Sequence, residues 1–512
     1  MPLLLQAEER KLNRIKFPRY RQKAAVVVCL FLCWPFLDDV FAASLPSGVQ
    51  WSFDRQTQEA YELVLNLELD AAHQLIPEPV TPQQHYVIAL AEALELLITE
   101  DGEKFVEFED RFNERLELKT RKNIPDDLFL QAEIRMQWAF VYIKFGHEFD
   151  AALNLRQAYQ TIQVIKEKFP EFEAINKTSG LLAVVIGSVP QKYNWVLNLL
   201  NMEGSTQTGI NELEVIRKSA SPFSIEANLL LALIQGFLLQ QLDEGLRDVN
   251  KVIAMYPNNR LALFLAAALY KKNAQGEEAL SMLDTLDRKT NGILLHLAAY
   301  IRAEVSLYKG DYIKAISAYR SFISNYQGIN GIKDAHYKIG LCYWLNGNVN
   351  DAYTTFRLAK SVGKEASEAD KHAARSLADD ELPHVALTKA RYATDGGYYE
   401  KANALLDSLQ PPDLPTERDQ VEFHYRKARL YHKTGDLRSA KRSYQQTIDL
   451  SGNQPWYYAP NACLQLGYIY WAEGDGPLAK DYFNRALSYN KHEYKNSIDS
   501  KAKSAIAQMR RK

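Results

Sequence analysis

The search for reacting groups in this 512-residue chain ends quickly. Its ten histidines are scattered, with no H-E-x-x-H pair and no paired cysteines at metal-ligand spacing. Gly180 and Gly187 lie in apolar helical surroundings and lack the following Lys-Ser or Lys-Thr of a phosphate loop. Neither a catalytic constellation, a metal site nor a cofactor is expected, and the chain reads as a non-enzyme. What the residue types do offer is recognition chemistry. Tyr300 and Glu304, then Tyr337 and Trp344, then Tyr425, Arg429 and His432, then Asn461, Tyr468 and Trp471 recur at related positions along the chain. Tyr, Trp and Arg are the residue types that concentrate binding energy at interfaces, where one truncation can cost about 2 kcal/mol or more.

The elements that must position them are legible from Ala459 to Lys491. Gly467 and Tyr470 fall on one helix, Gly474 marks a turn, and Ala479, Phe483 and Ala486 share a face of a second helix. Small residues let two helix backbones approach while the aromatic rings fill the space beside the contact. This is the signature of a tetratricopeptide-type hairpin, which cannot bury its apolar face without stacked neighbours. The same register recurs at Ala428, Tyr431, Gly435, Ala440 and Tyr444, and at Gly340, Tyr343, Gly347, Ala352, Phe356 and Ala359. Weaker copies are Ala390, Gly397, Ala402 and Leu406; Ala303, Gly310, Ala315, Tyr319 and Phe322; Ala267, Tyr270, Ala279, Leu283 and Leu286; and Ala139, Tyr142, Gly146, Ala151, Leu155 and Ala158. The expected fold is all-α, with tetratricopeptide-type helical hairpins stacked into a right-handed superhelical solenoid. First helices of such hairpins line the concave face, so the ten residues named above should form an aromatic groove for an extended peptide or partner helix. Arg429 would pair an acidic group there.

The chain divides into an N-terminal leader at 1–42 and a helical cap with irregular units at 43–127. Helical repeats at 128–293 include a distinctive block at 180–257. Tetratricopeptide repeats follow at 294–410 and 411–495, and a basic capping helix at 496–512 ends the chain. In the leader, Arg10, Lys11, Arg14, Lys16, Arg19, Arg21 and Lys23 precede the apolar run Ala24 to Leu37, and Val40-Phe41-Ala42 suits a signal peptidase. Fourteen residues at a 1.5 Å rise span about 21 Å, short of a hydrocarbon core of about 30 Å. An export signal cleaved after Ala42 is therefore expected, with the mature protein in the periplasm or envelope, or secreted. Removing residues 1–42 takes seven basic and four acidic side chains from 61 and 63 and changes the formal charge from −2 to −5. Such a charge leaves no electrostatic footprint for nucleic acid. Cys342 and Cys463 then remain, in hairpins too far apart for the roughly 7 Å a disulfide requires. They are expected as packed thiols.

Within 180–257 the chain runs Gly187-Ser188-Val189-Pro190, Tyr193, Leu197, Leu199-Leu200, Glu203-Gly204-Ser205, Gly209-Ile210 and Leu213, then an apolar helix from Ile225 to Leu239. On these residues it resembles the family of inclusion body clearance protein Iml2 and tetratricopeptide repeat protein 39. Asn201 stands where that family tends to have Gly, and Ser205 where it tends to have Asp. The resemblance implies a helical-repeat adaptor without catalytic residues. Pro411, Pro412 and Pro415 are expected to make a rigid elbow. The tail places Ile498, Ala502, Ile506 and Met509 on one face and Lys501, Lys503, Arg510, Arg511 and Lys512 around it. Basic residues suit the negative end of a capping helix, and contact with anionic lipid is the second reading. The functional expectation is a scaffold or adaptor with a protein or peptide partner. The alternatives are a structural spacer in an envelope assembly and an enzyme with a dispersed active site.

Overall fold

The computed structural model describes residues 50–118, 124–189, 197, 201–289, 291–378 and 382–509. The leader at 1–42 with Cys29 and Cys33, the start of the helix at Pro190 and Tyr193, and Arg510, Arg511 and Lys512 lie outside the described residues. Among the described residues there are twenty-four α-helices and no strand. In chain order they begin with α1 (Arg55–Leu65), α2 (Leu69–Leu75), α3 (Pro82–Thr99), α4 (Gly102–Glu117), α5 (Pro125–Phe145), α6 (Glu148–Lys168), α7 (Ile175–Gly187), α8 (Thr206–Lys218) and α9 (Ser224–Leu233). A π-helical turn at Ile234–Leu238 follows, then α10 (Leu242–Met255), α11 (Arg260–Lys272), α12 (Gly276–Asp287), α13 (His296–Lys309), α14 (Tyr312–Asn325), α15 (Ile332–Leu345) and α16 (Val349–Ser361). The last eight are α17 (Glu368–Ala378), α18 (Val385–Asp395), α19 (Tyr399–Asp407), α20 (Glu417–Thr434), α21 (Leu437–Ser451), α22 (Tyr458–Ala472), α23 (Gly476–Ser488) and α24 (Lys495–Met509).

Seven of the helix pairs are hairpins whose first helix is followed by a left-handed residue, glycine in six of them and Ala274 between α11 and α12. In α20/α21 and α22/α23 a glycine ends the first helix in the left-handed region, Gly435 at φ +84° and Gly474 at φ +86°. The next residue is an aspartate whose carboxylate caps the second helix, Asp436 accepting from Ser439 N at 3.0 Å and Asp475 from Leu478 N at 3.1 Å. Within each hairpin the small positions do the expected steric work. A methyl group added at Gly467 would come 2.5 Å from the Phe483 ring, and one at Gly340 would come 2.5 Å from Phe356. Ala428, Ala440, Ala479 and Ala486 are fully buried. Helices in such contact lose room for any larger side chain, so the small residues fix the approach distance.

Stacking continues along the array. Leu414, just past the short 3₁₀ turn Pro411–Asp413, is buried in one cluster with Leu406 of α19 and Leu430 of α20. The C-terminal helix α24 inserts Ile498, Ala502 and Ala505 into the apolar core of the last hairpins and leaves Lys501 and Lys503 exposed. Cys342 and Cys463 are buried free thiols, and burial pushes both of them up from the ordinary thiol range.

The N-terminal segment is organised differently. Trp51 and Phe53 enter the largest apolar cluster among the described residues, beside Tyr61, Tyr86, Phe129, Phe172 and Phe223. Gly180 on α7 and Gly209 on α8 face one another so closely that a Cβ at Gly180 would sit 2.8 Å from the Gly209 carbonyl oxygen. These glycines serve helix crossing. The same region also reaches the middle of the array, where Asn330 donates to Glu100 at 2.8 Å and Ile293 N to Leu67 O at 2.9 Å.

Candidate recognition surface on the first helices

The ten candidate residues all sit on first helices: α13, α15, α20 and α22. Their environments divide them into two sets. Tyr300, Glu304, Tyr337 and Tyr425 are taken up by contacts within the chain. Glu304 is 6 % exposed and is bound by the ammonium groups of Lys271 and Lys338, the latter at 2.6 Å. Burial alone would push its carboxyl up, but the two lysines outweigh that and hold it at about 2. Tyr300 donates to Asp334, which Lys338 also binds at 2.8 Å. Tyr337 is buried against the rings of Phe356 and His372. Tyr425, 3 % exposed, is surrounded by Tyr444, Tyr457 and Tyr458. A position rule counted along one hairpin cannot register how deeply the next hairpin covers it.

Trp344, Arg429, His432, Asn461, Tyr468 and Trp471 keep part of their surface. Trp344 donates its indole N–H to the Pro383 carbonyl at 2.9 Å. Arg429 reaches Gln465 Oε1 at 3.4 Å, and Gln465 donates in turn to Asn461 Oδ1 at 3.2 Å, so a polar string joins α20 to α22. His432 lies 3.3 Å from the Tyr444 hydroxyl. Burial, with Arg429 and Lys433 nearby, holds its imidazole at about 4, so it is neutral at pH 7. Tyr468 and Trp471 stand edge-on to Phe483, with ring centroids 5.2 and 6.4 Å away.

Two of the depressions among the described residues are lined by charged side chains. One, of about 330 Å³, is lined by Phe237 from the π turn, Ala268, Lys271, Lys272 and Ala274 at the end of α11, Tyr308, Asp395, and Arg429 with Lys433. Arg429 is the candidate residue found there. Its partners in the cleft were missed because they come from distant helices, although Lys433, four residues on and thus on the same face of α20, was a visible signal. The other is a larger groove of about 980 Å³ between α12 and α14. Several of its charges are paired, Arg302 with Asp284 and Asp287 and Lys309 with Glu277.

Among the described residues, no group of three or more His, Cys, Asp or Glu is arranged to hold a metal ion. No helix among them is long and apolar enough to cross a membrane.

The tetratricopeptide repeat family matches residues 421–454 and 460–493, the last two hairpins. No curated protein matches the chain. The apo form of the quorum sensor NprR from B. thuringiensis is similar at 15% identity and a TM-score of 0.37, covering 71% of this chain and 98% of that one. NprR in complex with its cognate peptide NprX aligns at 16% identity and a TM-score of 0.35, over 71% and 98% of the two chains. The human IFIT1 dimer with PPP-AAAA aligns at 15% identity and a TM-score of 0.31, over 85% and 95%. The chain is an all-helical protein carrying tetratricopeptide repeats.

Proposed function

We propose that this protein is a non-catalytic scaffold or adaptor whose first helices hold a protein or peptide partner. The observation that carries the reading is the half-buried face shared by α20 and α22, where Arg429, His432, Asn461, Tyr468 and Trp471 keep surface while their own backbones are locked by stacking. Rigid aromatic side chains beside an arginine lose little entropy on binding and supply both contact area and a charge partner. The resemblance of 180–257 to the Iml2 and tetratricopeptide repeat protein 39 family points the same way, toward an adaptor. The basic leader and short apolar run at 1–42 support export, to the periplasm, the envelope or the exterior. N-terminal sequencing of protein from its own host should begin at or near Ala43; an intact Met1 or Pro2 in the cytosol overturns the location alone.

The binding reading is tested by selecting peptides from a displayed library on the immobilised chain and measuring the selected peptides against a Tyr468→Ala/Trp471→Ala variant of unchanged helical circular dichroism. Two hot-spot truncations of about 2 kcal/mol each lower affinity by well over thirtyfold. Undiminished affinity would place recognition elsewhere on the molecule, and a spacer would yield no selected sequence at all.

A further inference from the structure

The 330 Å³ cleft is lined mostly by positive charge. Four cationic side chains line it, Lys271, Lys272, Arg429 and Lys433, against the one carboxylate of Asp395. Part of this charge is answered within the chain: Lys271 pairs with Glu304, and Asp395 lies 3.7 Å from Arg391. Arg429 and Lys433 are different. Among the described residues neither has a carboxylate within 4.0 Å, and the Arg429 contacts, to Gln465 at 3.4 Å and to the Tyr444 hydroxyl, are to neutral groups. Partial burial and the adjacent Arg429 guanidinium hold the Lys433 ammonium below its usual range. Two like charges on one face of α20 repel, and that cost is offset when an anion sits between them.

The walls add shape. Phe237 enters the cleft from the π-helical turn Ile234–Leu238, a backbone form that interrupts an α-helix and is found disproportionately at functional sites. Lys272 lies with its ammonium 4.9 Å from the Phe237 ring centroid, and Tyr308 stacks on Tyr392 at 5.6 Å. The volume stands at the small end of the roughly 300–1,000 Å³ range of ligand pockets. An extended peptide needs a longer trough, whereas a compact dianion with a small flat body fits. A single carboxylate would leave the Arg429 and Lys433 pair half neutralised; a phosphoryl dianion matches it in charge and offers several acceptor oxygens to the guanidinium fork and the ammonium groups.

We propose that this cleft binds a small phosphoryl compound, the dianion between Arg429 and Lys433 and any ring of the ligand against Phe237 and Tyr308. The site joins the π turn, α11, α13, α18 and α20, so its occupation would tie the middle of the array to its C-terminal hairpins. It shares Arg429 with the peptide reading but not Tyr468 or Trp471, so Lys433→Gln tests the cleft apart from that reading.

The test is calorimetric titration of the full mature chain with inorganic phosphate, pyrophosphate and phenyl phosphate, with sulfate at matched ionic strength as the control anion. One saturable site for at least one phosphoryl probe, binding at least tenfold more tightly than sulfate, is expected. Lys433→Gln and Arg429→Gln should each weaken it at least tenfold, while Arg302→Gln, at a guanidinium already paired with Asp284 and Asp287, should not. Phenyl phosphate binding more tightly than both inorganic probes assigns an organic phosphate ester as the natural ligand; equal or weaker binding assigns an inorganic one. The two cleft variants should keep their helical circular dichroism. Without ligand, Lys433→Gln should melt no lower than the parent, since it removes repulsion and no ion pair. Absence of saturable binding, binding no tighter than sulfate, or equal binding by the cleft variants would overturn the proposal.

Discussion

The described residues of 51–227 and of 417–509 are helical and densely packed in both regions, yet the two regions are held together by different kinds of contact. In the C-terminal region the partners are close in sequence: Gly467 against Phe483, Tyr425 against Tyr444, Tyr457 and Tyr458. In the N-terminal region they are far apart. Lys177, 2 % exposed, binds Glu133 and Glu226 at 2.8 Å each and donates to the Tyr86 hydroxyl at 2.7 Å. Tyr61 and Tyr86 both donate to Glu226, across separations of 165 and 140 residues. Phe223 and Tyr86 cover the ammonium with their ring faces at 4.6 and 4.7 Å. Nearest-neighbour stacking lets a region fray unit by unit. A buried charge cluster fed by five helices ties its region into one unit, because breaking any member strands the rest without solvation.

Three measurements can break or sharpen that contrast. The largest effect is expected from Lys177→Met. Removing one partner of a buried ion cluster costs about 3–5 kcal/mol, since the buried Glu133 and the half-buried Glu226 lose their counter-charge. Burial already pushes the Glu133 carboxyl up, with Lys177 opposing it. Amide hydrogen exchange should accelerate throughout 51–227, and adding Glu226→Gln should restore part of the loss. A change confined to α7 would show that the cluster does not unify the region.

A smaller effect, about 1–3 kcal/mol, is expected from Ala479→Leu, which overpacks the fully buried contact between α22 and α23. Exchange should speed up from 458 to 509 and remain unchanged around Tyr142. Equal acceleration in both places would mean that the array melts as one cooperative body.

The smallest effect concerns pH. Burial first, then nearby cations, hold His372 at about 3 and His85 at about 4, with Arg391 beside the former and Arg115 beside the latter. Their folded values lie below the unfolded value of about 6.5, so between that pH and their folded values the unfolded chain binds more protons. Stability should therefore fall as pH drops from about 6.5, by at most about 1.4 kcal/mol per pH unit for each histidine. His372→Phe keeps the ring stacked on Tyr494 and should flatten the melting-temperature profile between pH 6.5 and 5. That range stays above the window, from about 4.5 down to about 2, in which Glu304 loses its own contribution. An unchanged slope would mean that His372 is solvated in the folded protein.

The same contrast explains what could be read in advance. Hairpins were legible because each depends on a few residues within some thirty positions. Gly474-Asp475 specifies a left-handed stop and a capped restart, and Gly467, Ala479 and Phe483 specify a close helix contact, so local sterics dictate the form. The recognition face was partly legible for the same reason: periodicity locates the first helices and the face their residues share. The burial of Glu304, Tyr337 and Tyr425 and the internal pairing of Tyr300 were not legible, since coverage by a neighbouring hairpin depends on stacking angle. Trp51 and Phe53 lie before the first helix and carry no periodic signal, although they sit in the largest core. Lys177 reads as an ordinary helical lysine until α3, α5 and α9 enclose it. The cleft belongs wholly to the tertiary structure. The sequence by itself determined the all-helical hairpins, their caps and the polar–aromatic face of α20 and α22, because those follow from short-range geometry. Only tertiary closure decided that Lys271 and Lys272 stand opposite Arg429 and Lys433, about 160 residues away in the chain, because the curvature that joins them accumulates from every packing angle between.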